Sequence, residues 1–175
     1  MDKGGESLSP KALLASLLGI GFFLVFVQAN HPSLDSDGIH YAAVAEEIAR
    51  SGRWLLPFDP VVNTPHYWHF PMCLWPNALL FQWLGTSPAV AKLYSMGMTL
   101  VALAGLFFLG KTLSSPWTGW FAGMAFLLTN HVLRIARQCR PDLPLIAFLV
   151  LAFLGLACWG LKLEEFWIAV GLGRK

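Results

Sequence analysis

Four long apolar runs constrain this chain more than any other feature of its sequence. They cover residues 12–28, 88–109, 117–133 and 143–161. Each run approaches the roughly 20 residues that an α-helix needs to cross a bilayer. Only 13% of the residues are charged, against about 25% in an ordinary soluble domain. The sequence therefore predicts an all-α, polytopic transmembrane helical bundle with about four spans in a single domain, 1–175.

The first run, 12–28, has two interpretations. Residues 27–29 (Val-Gln-Ala) loosely fit a signal-peptide cleavage site, but the run is longer than the roughly 7–15 residues of a signal core. We prefer a retained first span, with Lys3 and Lys11 holding the N-terminus in the cytoplasm. This predicts an integral, multi-pass protein of the plasma membrane, for which a bacterial inner membrane fits best.

This topology places Lys3, Lys11, Lys111 and Lys162 inside and five arginines outside, which opposes the positive-inside rule. The five are Arg50, Arg53, Arg134, Arg137 and Arg140. Either the topology is inverted, or these arginines are kept outside to bind a lipid phosphate. His131 and the last three arginines recur at every third position, so they would form a stripe on a helix that continues from 117–133 to Pro141. The simpler interpretation of this stripe is snorkelling to the headgroups.

The stretch 30–87 is long for a connection, and long ordered loops are usually functional. It holds half of the acidic residues and four of the five histidines. Three residues, Asp35, Ser36 and Asp37, offer N-caps for an amphipathic helix over 38–51 that Gly52 ends. A second short surface helix is predicted over 76–84. We expect both helices to lie along the membrane surface in the first outer loop.

Several short motifs follow one another in order along the chain. They are Asp37-x-x-x-Tyr41-Ala42, Ala45-Glu46-Glu47-Ile48-Ala49, Ser51-Gly52-Arg53-Trp54 with Pro57, Tyr67-Trp68-His69-Phe70-Pro71 with Trp75, and Arg140-Pro141-Asp142-Leu143-Pro144-Leu145. Across roughly residues 12–173 the series resembles the N-terminal part of the GT-C membrane glycosyltransferases. The groups in question are the protein O-mannosyltransferase-like enzymes, the lipid A aminoarabinose transferases and the lipopolysaccharide-core galacturonosyltransferases. The resemblance implies a polyprenyl-phosphate-linked sugar donor and a lipid, glycan or protein acceptor on the periplasmic or luminal face.

Two acidic residues are the catalytic candidates that this resemblance implies. Asp37 is the candidate base that takes the proton of the acceptor hydroxyl. Asp142 matches the second acidic position of the family and would orient the acceptor or assist Asp37. Both have a structural alternative, because Asp37 could cap the helix over 38–51 and Asp142 could cap the fourth span. Asp35 is a weaker candidate, two residues ahead of the matching position.

Five further residues are candidates for substrate binding. They are Tyr41, His69, Arg137, Arg140 and Trp75. Arg137 and Arg140 are the candidate contacts of the leaving phosphate. Trp75 belongs with Tyr67, Trp68 and Phe70 to an aromatic groove for the acceptor or the lipid.

The chain departs from the family at 69–71 (His-Phe-Pro). Many relatives carry an acidic or lysine residue before this proline, and the aminoarabinose enzymes use the acidic one to hold a metal. His69 could still bind a divalent metal as a neutral imidazole. However, the histidines of the loop show no ligand spacing, so metal binding is the minority hypothesis. The contribution of the family lysine to phosphate binding is lost at Phe70.

Length supports a second hypothesis of a different class. Members of the family are usually longer, and 166–173 resembles the start of a fifth span, so we expect this chain to be truncated. It would then be a non-catalytic membrane protein or a subunit that needs a partner. A channel or transporter is disfavoured, because the apolar runs carry almost no charge away from their ends. A net charge of only +2 without a concentrated basic patch predicts no nucleic-acid binding.

Overall fold

The computed structural model describes residues 8–27, 29, 31, 33–65 and 74–169, and of 163–169 only the backbone. These residues form seven helices and one short hairpin. The elements are α1 (Pro10–Phe26), α2 (Ser36–Ser51), β1 (Phe58–Asp59), β2 (Thr64–Pro65), α3 (Trp75–Leu84), α4 (Pro88–Leu113), α5 (Pro116–Leu128), α6 (Asn130–Ala136) and α7 (Asp142–Ala169). The two strands pair antiparallel. The predicted helical class is confirmed.

Two of the helices, α4 and α7, are long and apolar enough to cross a membrane. The helix α1 is apolar but has only 17 residues. The predicted span 117–133 is divided between α5 and α6, because the backbone of Thr129 is extended (φ −66°, ψ 115°). Its hydroxyl donates to the Ala125 carbonyl at 3.0 Å, and threonine and asparagine are weak helix formers. The described residues therefore contain two candidate membrane spans, and the predicted number of four is not confirmed.

The helix predicted to continue to Pro141 ends earlier, at Ala136. Arg137 is its C-cap (φ −97°, ψ 23°), and the last turn tightens, with the Gln138 amide donating to the Ile135 carbonyl at 3.1 Å. Residues 137–141 are consequently a connection between α6 and α7. The predicted helical stripe stops at Arg134, and Arg137 and Arg140 do not share a helix face.

The last helix is longer than predicted. We expected a fourth span over 143–161 and a separate fifth span beginning at 166, whereas α7 continues without a break from Asp142 to Ala169. The sequence around 162–165 (Lys-Leu-Glu-Glu) contains only good helix formers, so nothing there ends a helix. The remainder of the expected fifth span, 170–173, lies outside the described residues.

The helix α4 is central and packs against α1, α3, α5, α6 and α7. The largest buried cluster joins α1, α4, α5, α6 and α7, and includes Leu17, Met96 and Leu103. The backbones of α4 and α5 approach most closely where Gly119 faces Phe107. A Cβ atom on Gly119 would lie 2.2 Å from the Phe107 carbonyl oxygen. Only glycine fits there, so this crossing depends on the absence of a side chain.

The helices α2 and α3 pack on each other through Val44, Ile48, Leu74 and Ala78. Their bounds confirm the two helices predicted in the first loop. The helix α2 ends at Gly52, which has a left-handed backbone (φ 70°), as the sequence predicts.

We expect Gly119→Ala to destabilise the protein, because its methyl group would force α5 away from the Phe107 carbonyl. The expected loss in the free energy of unfolding is about 1–3 kcal/mol. The measurement is thermal unfolding of the purified protein in detergent. The matched control is Gly97→Ala in α4, where a Cβ atom meets nothing within 4 Å. Equal Tm values for the two variants would contradict the close packing of α4 on α5.

Candidate functional site

Arg140 joins three elements at one end of the helices. Its guanidinium lies 2.5 Å from Oδ2 of Asp37 and 3.0 Å from Oδ2 of Asp35, at the start of α2. The Arg140 backbone is fixed on α4, since the Ser95 hydroxyl donates to the Arg140 carbonyl at 3.0 Å. We call Asp35, Asp37 and Arg140 the Arg140 cluster. It ties the N-terminus of α2 to α4 and to the segment that precedes α7.

The two carboxylates of the Arg140 cluster have different surroundings. Asp35 is the N-cap of α2, and its Oδ1 accepts from the Gly38 amide at 2.8 Å. Its own amide donates to Oε1 of Gln138 at 2.8 Å. The capping role considered for Asp37 therefore belongs to Asp35. The Asp37 side chain touches Arg140 and is 57% exposed, so its carboxylate is accessible to a molecule in the surrounding solvent.

A second polar feature lies on the other side of Gln138. It is a pocket of about 150 Å³ lined by His31, Ser33, Lys92, Arg134, Arg137 and Gln138, which we call the cationic pocket. Lys92, the fifth residue of α4, is only 1% exposed and donates to the His31 carbonyl. Arg137 donates to the Leu24 carbonyl in α1. No acidic residue belongs to the described lining of this pocket.

The structure separates the two arginines that the sequence predicted as phosphate contacts. Arg137 lines the cationic pocket, whereas Arg140 binds the two carboxylates of its cluster. Gln138 connects the two features, because it lines the pocket and accepts the hydrogen bond from Asp35. The carboxylates of the Arg140 cluster and the cations of the cationic pocket thus lie next to each other.

Asp142 is the first residue of α7 and is exposed, two residues after Arg140. An acidic residue is favourable there because the helix dipole is positive at its N-terminus. The ion-pair partner of Asp37 is Arg140. The interaction predicted between Asp37 and Asp142 stays a prediction.

The two aromatic candidates that the structure describes hold α2 and α3 together. Tyr41 is half-buried and packs against the apolar clusters between α2 and α3. The Trp75 indole donates to the Trp54 carbonyl at 2.7 Å, and the two rings meet edge to face at 6.4 Å. His69 lies outside the described residues, as do Tyr67, Trp68 and Phe70.

The sequence analysis missed a pairing between His40 and Asp59. Nε2 of His40 lies 2.5 Å from Oδ2 of the buried Asp59, whose Oδ1 also accepts from the amides of Val61 and Val62. The pair fixes the hairpin against α2. Within the described part of the chain no group of three metal-binding side chains comes together. A divalent metal stays a hypothesis that rests on His69.

Lys92, Gln138 and Ser95 were also missed. Lys92 carried a usable signal, because a charged residue at the edge of an apolar run is costly unless it has a role. Gln138 and Ser95 carried none, because their importance comes from contacts with residues far away in the sequence.

Comparisons with known protein families, with curated proteins and with solved structures found no significant match. The fold defines the class of the protein: mostly helical, with two helices that are long and apolar enough to span a membrane. The Arg140 cluster and the cationic pocket both lie near the N-terminus of α4.

We expect Asp35→Ala to destabilise the protein more than Asp37→Ala. Asp35 caps α2 and contacts Arg140, so its loss should lower the free energy of unfolding by about 1–3 kcal/mol. Asp37 is mostly exposed, and its loss should cost less than about 1 kcal/mol. The measurement is equilibrium unfolding in detergent, with Asp35→Asn as the control that keeps a capping side chain. A larger effect of Asp37→Ala would contradict these roles.

We also expect Cys139 to be unreactive in the folded protein, because burial raises the pKa of its thiol to about 12. The thiolate is the reactive form, and it is scarce at pH 8 when the pKa is that high. Maleimide labelling followed by peptide mass spectrometry should find Cys139 modified only after denaturation. An unfolded thiol ionises above about pH 8.5, so this group should make folding less favourable as the pH rises from there toward 12. Native labelling at pH 8 would contradict the burial of Cys139.

Proposed function

We propose that this chain is a GT-C-type membrane glycosyltransferase, or the N-terminal part of one. It would transfer a hexosyl or pentosyl group from a polyprenyl-phosphate donor to a lipid, glycan or protein acceptor on the non-cytoplasmic face. The observation that carries the proposal is the exposed carboxylate of Asp37, held by Arg140 beside a cationic pocket. The family-like order of motifs along the chain supports the same assignment.

The positions of the helix ends support a membrane topology with four crossings. Arg137, after α6, reaches the Leu24 carbonyl near the end of α1. The start of α4 meets the segment before α7 through Ser95 and Arg140. Two helices therefore end, and two begin, at the same level, which is the pattern of a chain that crosses four times. In this topology α2 and α3 lie outside, and the shorter α1 and α5–α6 also cross.

A lipid-linked donor keeps its sugar phosphate at the membrane surface, so the reacting groups must lie there. In the proposed topology Asp37, Asp142 and the cationic pocket all lie at the outer ends of the helices. This position lets a water-exposed acceptor and a membrane-embedded donor approach the same carboxylate.

The reaction can be assigned to these residues step by step. Asp37 accepts the proton of the acceptor hydroxyl, whose oxygen attacks the anomeric carbon of the donor. The bond between that carbon and the phosphate oxygen breaks, and the phosphate leaves with the electron pair. The cations of the cationic pocket lie next to the leaving phosphate in this scheme and stabilise its developing charge. Arg140 holds Asp37 in place, and Asp142 orients the acceptor.

A second candidate is a membrane subunit that packs against further helices. The observation that favours it is the exposure of α7, in whose most apolar stretch only 22% of the residues are buried, against 44% in α4. Large apolar side chains such as Phe148, Phe153 and Trp159 are exposed along it. Dissociation of the native assembly into its polypeptides before the mass measurement separates the two. A transferase gives one polypeptide that contains this sequence, whereas a membrane subunit of 19.3 kDa gives a second, different polypeptide in stoichiometric amount.

We expect Asp37→Asn to lower sugar transfer by at least about 100-fold, the range in which a general base contributes. The assay uses membranes that contain the protein and a panel of polyprenyl-phosphate sugars, and it measures transfer to the acceptors of the same membranes. The Tm should stay close to that of the unmodified protein, because Asp37 is mostly exposed. Glu46→Gln is the matched control, since Glu46 also lies on α2 but pairs with Arg50 on the surface. Full activity of Asp37→Asn would refute the base role.

A further inference from the structure

We infer that the cationic pocket binds a phosphate group, either that of a lipid headgroup or that of a water-soluble phosphate. The pocket draws its cations from two separate segments of the chain, the start of α4 and the end of α6. Lys92 and Arg134 carry the inference, and Gln138 and Ser33 supply neutral polar groups.

Lys92 provides the strongest observation. Its side chain is almost fully buried, yet within the described residues its ammonium group has the His31 carbonyl as its only hydrogen-bond partner. An ammonium group has three donors, so two remain for a ligand. A buried charge is costly unless it is paired, and no described carboxylate forms an ion pair with Lys92. An anion in the pocket supplies the missing charge.

The carboxylates of the Arg140 cluster do not play this part. Asp35 and Asp37 are already bound to Arg140, on the opposite side of Gln138. Arg134 and Arg137 add further positive charge to the pocket wall, so the field inside it favours an anion. Snorkelling does not account for the arrangement, because a snorkelling lysine places its ammonium group in water. Lys92 is 1% exposed.

Size and donor geometry favour phosphate over a smaller anion. The pocket of about 150 Å³ is roughly ten times the space that one water molecule requires. The Gln138 amide oxygen accepts from Asp35, which leaves the amide nitrogen of Gln138 as a donor. Residues that carry ammonium, guanidinium and amide donors line one pocket, and a phosphate has several terminal oxygens that can bind such donors together.

The pocket also bears on the proposed transfer reaction. If the phosphate belongs to the donor, the cationic pocket holds the leaving group while Asp37 receives the acceptor proton. That assignment rests on the proposed function, whereas the binding of phosphate can be measured without sugar transfer.

The experiment measures binding to the full chain, purified in a neutral detergent, by thermal shift and by thermophoresis. The probes are inorganic phosphate, a short-chain prenyl phosphate and the matching prenol without phosphate. We expect saturable binding of at least one phosphate probe. Lys92→Gln and Arg134→Gln should each weaken it at least about tenfold, the loss expected for one charge-assisted hydrogen bond. Lys111→Gln is the control, because Lys111 is exposed at the other end of α4.

The probes also identify the source of the phosphate. A prenyl phosphate that binds at least about tenfold tighter than inorganic phosphate indicates a lipid headgroup, and equal affinities indicate a soluble phosphate. Arg134→Gln keeps the test valid if Lys92→Gln does not fold, because Arg134 is exposed. The inference is overturned if neither phosphate binds, if the prenol binds as well as its phosphate, or if the folded variants bind unchanged. Phosphate binding without sugar transfer would leave the pocket in place and refute only the proposed function.

Discussion

The ion pairs of Arg140 hold the N-terminus of α2 on the rest of the protein. Their effect is reinforced by the two residues that precede Arg140. Gln138 accepts from the Asp35 amide, and the buried Cys139 accepts from the side chain of Asn77 in α3. Three successive side chains thus bind three different places on α2 and α3. The pair of Arg140 with Asp35 is partly shielded from water and contributes more than an exposed pair does, whereas the pair with the mostly exposed Asp37 contributes less. A short connection between α6 and α7 therefore sets the position of both α2 and α3.

The same connection divides the charges into two groups with different chemistry. On one side of Gln138, two carboxylates share one guanidinium, so the Arg140 cluster keeps a net negative charge and an exposed proton acceptor. On the other side, Lys92 lies among cations without a described acidic neighbour. A group-transfer site needs both properties close together, one for the incoming hydroxyl and one for the outgoing anion. This division supports a transferase better than a purely structural junction, which would pair its opposite charges.

The sequence predicted the elements whose signals are local, and missed those that depend on distant contacts. The helices α2 and α3 were found because Asp35 and Gly52 mark the ends of α2, and Pro76 and Gly85 mark the ends of α3. The prediction of one continuous helix over 117–140 was wrong. It breaks at Thr129, and Arg137 and Arg140 point to different partners, because their contacts lie in α1 and α2, more than a hundred residues away. A spacing of three predicts a shared face only where the chain is helical.

The cationic pocket also depends on residues that are far apart in the sequence. Its lining comes from the connection before α2, from α4 and from the end of α6, so no local spacing could have revealed it. Lys92 is the exception, because the sequence shows a charged residue at the edge of an apolar run, where burial of the charge costs free energy. A buried cation of this kind links the stability of the folded protein to the occupancy of the pocket by an anion. An anion that binds only the folded protein stabilises it by mass action, and the stabilisation grows with the concentration of the anion. The pocket would then make the protein most stable where its phosphate ligand is abundant.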